Sequence, residues 1–308
     1  MDFSALIKKS FEIAWHNRVL WLFGFLSGGV GTVGYINPSG FNFTIPSSTP
    51  EPSDSQLQAV GRVLGVSDSP SSLISSPTFI LIILAIVAVL LILVLLGIFI
   101  ANWAAAALVY LILQRNAQRP TFGVGVRAGL KYWWKFWLLA LVIGLFILAF
   151  ILALAIPAVF LFLARFTTLA VIFTVIAVIV FILAMFVIAS IGSLIISLAQ
   201  RMIIHKETGV FDSIRLSGGL VKKYLGESLL TYIVAVGINF AAGFAAMFAI
   251  LPIGIVIAVL FFMKLWWVAI FALTPAAILL FAAGGFWNAF NASYWTLFYE
   301  HLASKEGW

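Results

Sequence analysis

Long stretches without an ionisable side chain dominate this chain and limit what it can fold into. No Asp, Glu, Lys, Arg or His stands between Asp68 and Arg115, between Lys135 and Arg165, or between Arg165 and Arg201. The same holds between Glu227 and Lys264 and between Lys264 and Glu300. An uncharged apolar run of about 18 residues or more is long enough to cross a bilayer as a helix. With 64% hydrophobic and 9% charged residues, the 308-residue chain lies outside the composition range of soluble domains. The expected fold class is all-α: an integral membrane helical bundle. There is no cysteine, which excludes disulfides, thiolate nucleophiles and cysteine-held metals.

Six spans are expected, at roughly 19–36, 78–113, 136–164, 168–200, 228–262 and 266–299. The first carries Gly24, Gly28, Gly29, Gly31 and Gly34 and barely reaches across a core about 30 Å thick. A half-crossing is the alternative there. The second and sixth exceed what a bilayer needs and should tilt or protrude. Of the Lys and Arg residues, fourteen fall before span one, in the second and fourth loops, or after span six. Only Arg62, Arg165 and Lys264 fall on the other side. The positive-inside rule then puts both termini in the cytoplasm. The opening segment is amphipathic and lacks a small-x-small cleavage site, so it does not read as a cleaved signal. The net charge of +7 hugs the ends of apolar segments, which favours anionic lipid headgroups over nucleic acid as the partner.

The whole chain reads as one membrane domain with a Ser/Pro-rich external loop at 37–77, too polar to fold alone. Within that loop LQAVGRVLGV has the makings of one short helix, and the Asn42-Phe43-Thr44 sequon is discounted as a chance match. Three charged segments precede spans one, three and five. On a helical wheel Lys8, Lys9, Glu12 and His16 share a sector, opposite Phe3, Leu6, Ile7, Phe11 and Ala14. Arg127, Lys131 and Lys135 stack at four-residue spacing, against Phe122, Val126, Leu130 and Trp133. Asp212, Arg215, Lys222 and Lys223 share a face opposed by Val210, Ile214, Val221 and Leu225. A basic amphipathic helix with aromatic boundaries is the signature of a segment lying in the membrane interface. Each Lys or Arg there adds about 1 kcal/mol of attraction to an anionic leaflet. Lys8, Lys9, Arg127, Lys131, Lys135, Arg215, Lys222 and Lys223 are therefore the candidate lipid contacts.

Amphipathic helix, span and return span recur three times, with units near 1–118, 119–207 and 208–308. Asn102, Ala106, Tyr110 and Gln114 near the end of span two match Asn288, Ala292, Thr296 and Glu300 near the end of span six. Span four offers Ile188, Gly192, Ile196 and Gln200 at the same spacing. Repeats of this kind precede any assignment of sites.

No span holds an ionisable group in its central portion, and intramembrane enzymes and proton-coupled carriers usually need one there. No catalytic residue, cofactor or metal is expected. Asn102, Asn239, Asn288 and Asn291 either line a polar groove or make interhelical hydrogen bonds, the second being the commoner use. Gly24/Gly28/Thr32 and Gly237/Ala241/Ala245/Ala249 read as internal packing seams, with a dimer interface as the alternative. Pro157, Pro252 and Pro275 should kink or break their helices. His16, His205 and His301 lack ligand-spaced companions, and His205-Lys206-Glu207 reads as a solvated turn.

The segments LIKKSFEIAWHNRVLWLFGF, VFDSIRLSGGLVKKYL and FNASYWTLFYEHL resemble a broad group of largely uncharacterised prokaryotic integral membrane proteins. That group is similar to the membrane domain attached to some bacterial glycerophosphoryl diester phosphodiesterases. The resemblance implies a stand-alone membrane module of the prokaryotic plasma membrane and carries over no catalytic residue. A non-enzymatic, lipid-interacting scaffold or accessory subunit is expected, partnered by anionic lipids and by a membrane protein or a second copy. A transporter or translocase for lipids or amphipathic small molecules is the alternative.

Overall fold

The computed structural model describes residues 2–29, 77–163 and 167–308, and among these all regular structure is α-helical. In chain order the helices are α1 (Phe3–His16), α2 (Arg18–Gly29), α3 (Pro77–Leu113) and α4 (Phe122–Leu163). They continue with α5 (Thr167–His205), α6 (Val210–Lys223), α7 (Leu225–Phe262) and α8 (Trp266–Lys305). Among the described residues four stretches are long and apolar enough to cross a membrane: Leu81–Leu113, Phe122–Pro157, Leu225–Phe262 and Leu273–Lys305. The chain is a helical membrane protein. Arg18–Gly28 and Ser190–His205 are apolar but shorter. At 1.5 Å per residue the 12 residues of α2 reach only ~18 Å. The rest of the expected first span and most of the 37–77 loop, with its short helix and sequon, lie outside the described residues.

Two of the three charged segments are helices of their own. The Asp2 carboxylate caps α1, accepting from Ser4 N at 2.9 Å and Ala5 N at 3.2 Å. Asn17 ends α1 with non-helical dihedrals, and side chains take over the carbonyls that a helix end leaves open. Asn17 Nδ2 donates to Ile13 O and Trp21 Nε1 to Ala14 O, at 2.9 and 2.7 Å. A one-residue break at Tyr224 separates α6 from α7 in the same way. The middle segment has no such break. Residues 122–137 open a single helix of 42 residues, roughly 63 Å long against a core of about 30 Å, so a large part must stand outside the hydrocarbon.

Two compact units divide the chain, Met1–Gly40 with Ile98–Trp308, and Phe41–Gly97. Of the second, the described part is the opening length of α3, whose Leu81, Leu84 and Leu90–Leu96 side chains are exposed. In the first unit burial concentrates near the charged loops. Leu20 and Phe23 of α2 pack with Ala104, Leu108 and Leu111 of α3 and Ala289 and Phe290 of α8. Tyr132 and Phe136 of α4 pack with Ala106 and Val109 of α3 and Ala199 and Ile203 of α5. Leu220 and Val221 of α6 pack with Leu198 and Met202 of α5 and Phe298 and Leu302 of α8.

Each charged segment docks on the C-terminal half of a return helix: α1 on α8, the start of α4 on α3, and α6 on α5. The buried stripes differ from the wheel reading. They hold Leu6, Ser10 and Ala14 in α1, Gly125, Ala128, Gly129 and Tyr132 in α4, and Ser213, Ser217, Leu220 and Val221 in α6. Phe11, Phe122, Leu130 and Leu225, on the apolar side of the wheel, are exposed. Helix axes come close only where side chains are small, so Ser and Gly rather than Phe and Leu occupy the contact.

The seams follow the same rule. A Cβ on Gly24 would lie 2.3 Å from the carbonyl oxygen of Gly285, and one on Gly28 would run into Asn288. Those two glycines therefore form an internal seam with α8. Gly237, Ala241, Ala245 and Ala249 do not: all four are exposed, and nothing lies within 4 Å of a Cβ built on Gly237. The helices also run on through Pro157, Pro252 and Pro275 rather than ending there.

Candidate functional site

The charged loops and helix ends meet one another. Arg115, just after α3, grips Glu300 of α8 with two nitrogens, each at 2.7 Å, and its side chain is only 10% exposed. Such a bidentate pair fixes geometry as well as charge. Arg201 near the end of α5 is buried, donating to Thr296 Oγ1 at 3.2 Å and to the carbonyl oxygen of Ala292 at 3.0 Å. His301 Nε2 lies 3.4 Å from Glu227 Oε2, and Lys305 donates to the other oxygen of that carboxylate. Arg115, Arg201 and His301 each follow directly on one of the three four-residue patterns, and each turns inward. Sequence reasoning had counted the two arginines as loop charges. Only the basic residue next to Gln114, Gln200 and Glu300 hinted otherwise.

A second cluster surrounds a cavity of about 470 Å³ between the end of α3, the start of α4 and the α5–α6 turn. Tyr110 comes from α3 and Gln114 from just after it, and Arg127, Lys131 and Tyr132 come from adjacent turns of α4. His205 and Glu207 close it from the turn. Volumes of this order suit small organic ligands. Lys131 Nζ donates to Glu207 Oε1 at 2.6 Å, and the Tyr132 hydroxyl donates to the same oxygen at 2.8 Å. These two donors hold the Glu207 carboxyl below the usual carboxylate range. Lys135 Nζ donates to the carbonyl oxygens of Glu207 and Thr208, at 3.1 and 3.0 Å. Glu207 itself sits at φ 53°, a left-handed conformation uncommon for a side chain of this size. The turn expected to be merely solvated is thus tied to α4 at four points. A carboxylate preceding Thr-Gly in a tight connection was the only sequence sign of it.

The remaining candidates fall into two groups. Lys8 and Lys9 on α1, and Arg215 and Lys222 on α6, are exposed. Lys223 instead pairs with Glu306 at 2.6 Å, and that carboxylate also accepts from the Tyr224 hydroxyl at 2.8 Å. Lys223 and Tyr224 hold the Glu306 carboxyl below its ordinary range, and Glu306 in turn raises Lys223. Of the amides, Asn239 and Asn291 donate to each other's oxygens at 3.3 and 3.1 Å, and Trp287 Nε1 donates to Asn239 Oδ1 at 2.9 Å. Asn288 donates across to the carbonyl oxygen of Gly24 at 3.0 Å. Asn102 donates within its own helix, to Ile98 O. Three of the four amides thus make interhelical bonds. Among the described residues no group of three or more His, Asp or Glu stands ready to hold a metal.

No curated protein and no solved structure matches this chain. One family model covers residues 15–299, from the end of α1 to one residue short of Glu300, and takes in the start of α4, α6 and the whole lining of the cavity. The chain belongs to that family, the family of unknown function DUF7544.

Proposed function

We propose that the chain is a non-enzymatic, multi-pass protein of the prokaryotic plasma membrane, with six crossings and both termini in the cytoplasm. It acts there as a lipid-interacting scaffold or accessory subunit. The observation that carries this reading is the exposed surface of the three charged segments. With their small residues turned inward, they present large apolar and basic side chains together. On α1 these are Phe11 and Trp15 beside Lys8 and Lys9; on α4, Leu130 and Trp134 beside Arg127 and Lys131; on α6, Phe211 and Leu216 beside Arg215 and Lys222. Apolar bodies with cationic tips suit the level of lipid headgroups. The shared docking of each segment on a return helix supports the three-unit organisation. A translocase with an amide-lined groove draws less support, because Asn239, Asn288 and Asn291 are already engaged between helices.

The absence of cysteine makes the test clean. Single cysteines replacing Phe11, Leu130 or Leu216 carry a nitroxide, and the protein is reconstituted in bilayers. Collision with oxygen against collision with a water-soluble nickel chelate then reads depth. The expected result is interfacial depth at all three positions. Full access to the chelate and none to oxygen would overturn the interfacial reading.

A further inference from the structure

The cavity between α3, α4 and the α5–α6 turn has the composition of an anion site, and its own carboxylate stands where the anion would bind. Two cations line it, Arg127 and Lys131, from adjacent turns of one helix. Among the described residues Arg127 has no carboxylate partner, and neither the Gln114 amide nor the Tyr110 hydroxyl makes a side-chain hydrogen bond. Three polar side chains thus face the cavity with donor capacity unused. The other two donors, Lys131 and Tyr132, converge on a single oxygen of Glu207. Two donors converging on one anionic oxygen is the arrangement that a phosphate oxygen also accepts.

We propose that this cavity binds a phosphate group carried on a headgroup-sized molecule, and that Glu207 is its internal competitor. Arg127 and Lys131 supply the charge, and the Tyr110, Gln114 and Tyr132 side chains supply neutral donors. When the phosphate enters, the Glu207 carboxylate leaves Lys131 and Tyr132. That exchange costs little. The Lys131–Glu207 pair is more than 60% exposed on both sides, and ion pairs so exposed are weak. Binding of a lipid phosphate rests on the interfacial reading above, since that reading places the cavity mouth at headgroup level. A soluble phosphate ester would satisfy the same donors.

The test reconstitutes the full chain in phosphatidylcholine nanodiscs holding a minor fraction of phosphatidic acid, and native mass spectrometry counts the phosphatidic acid kept on extraction. A parallel arm titrates glycerol 3-phosphate onto the detergent-solubilised protein and follows its thermal unfolding. Losing two charge-assisted donors should lower retention about tenfold in an Arg127→Gln/Lys131→Met variant. Glu207→Gln, which removes the competing charge, should raise it by about threefold. A purely structural Glu207 would give a loss or no change, and that result overturns the competitor role. Arg215→Gln/Lys222→Met removes the same charge from α6, away from the cavity, and as a change to the interface alone should lower retention clearly less than the cavity variant does. Equal losses in the two double variants would overturn the cavity site while leaving the basic interface intact. Response in the nanodisc arm alone identifies a lipid headgroup, and protection by glycerol 3-phosphate identifies a soluble ester. Silence in both arms overturns the proposal, and the nitroxide depths report independently on the interface.

Discussion

Near the charged loops α2 meets α8 through Gly24 and Gly285, and α4 meets α3 where a Cβ on Gly129 would lie 2.7 Å from the Trp103 carbonyl oxygen. Farther along, α7 turns Phe240, Phe244 and Phe248 outward, each more than half exposed. The two regions reverse the rule of soluble proteins, in which large apolar side chains make the core. In lipid no hydrophobic gain comes from bringing Leu against Leu, since the tails outside are as apolar. Close backbone approach, hydrogen bonds and ion pairs are what remain to hold helices together, and these gather where Ser, Gly, Ala, Asn and Arg are found.

The comparison is most directly broken by making one substitution in both regions. Gly24→Leu drives a side chain against the Gly285 carbonyl oxygen, which belongs to backbone and cannot retract; it should cost about 3 kcal/mol in thermal or denaturant unfolding of the detergent-solubilised protein. Gly237→Leu meets nothing and should be neutral or stabilising by about 0.5 kcal/mol, as expected for filling an exposed helical glycine. Equal effects would mean that the packed end is not the seat of stability.

The next effect is electrostatic. Arg115→Ala leaves Glu300 without its bidentate partner and should cost about 2 kcal/mol, partly recovered when Glu300→Ala is added. Lys131→Ala, whose partner is mostly exposed, should leave the unfolding midpoint almost unchanged. Smaller again is the amide pair. Asn291→Ala should cost about 1 kcal/mol and Asn102→Ala close to nothing, because only the first bridges two helices.

The smallest expected effect is a pH dependence at the α6–α7 junction. Glu306 is held below its ordinary range, so the stabilisation it shares with Lys223 is complete above about pH 4.3 and is lost as pH falls through the lower folded value. Lys223 is raised, so its share is complete below its ordinary value of 10.5 and is lost only above that. The difference in unfolding midpoint between wild type and Glu306→Gln should therefore be constant from pH 5.5 to 9 and shrink in acid, on a scale of pH units taken from ordinary carboxylate titration. A difference that varies across the neutral range would assign the junction to another titrating group.

Much of the helical layout was legible beforehand because it rests on one-dimensional quantities. Runs free of charge predicted helices at 78–113 and 228–262, and the structure places α3 at Pro77–Leu113 and α7 at Leu225–Phe262. The exposed cations Lys8, Lys9, Arg127 and Lys131 were legible for the same reason. Which side of each charged segment packs was not. A wheel sorts residues by polarity and set Phe11 and Leu130 on an apolar face, whereas close approach of helices selects by size and put Ser10 and Gly129 at the contact. Asp2 and Asn17 carried readable cap chemistry, yet nothing before Trp137 breaks the second segment, and it stayed continuous.

The order of residues alone was enough to commit this chain to helices in a membrane and to collect its charge at the ends of those helices. Hydrocarbon admits no open backbone and tolerates few charges, so length and charge spacing leave little choice. Folding in three dimensions decided that Arg115 finds Glu300, that Asn239 finds Asn291, and that Glu207 meets Lys131 on the lining of the 470 Å³ cavity. Those partners lie far apart along the chain, and only the close packing of small residues between helices brings them within hydrogen-bonding distance.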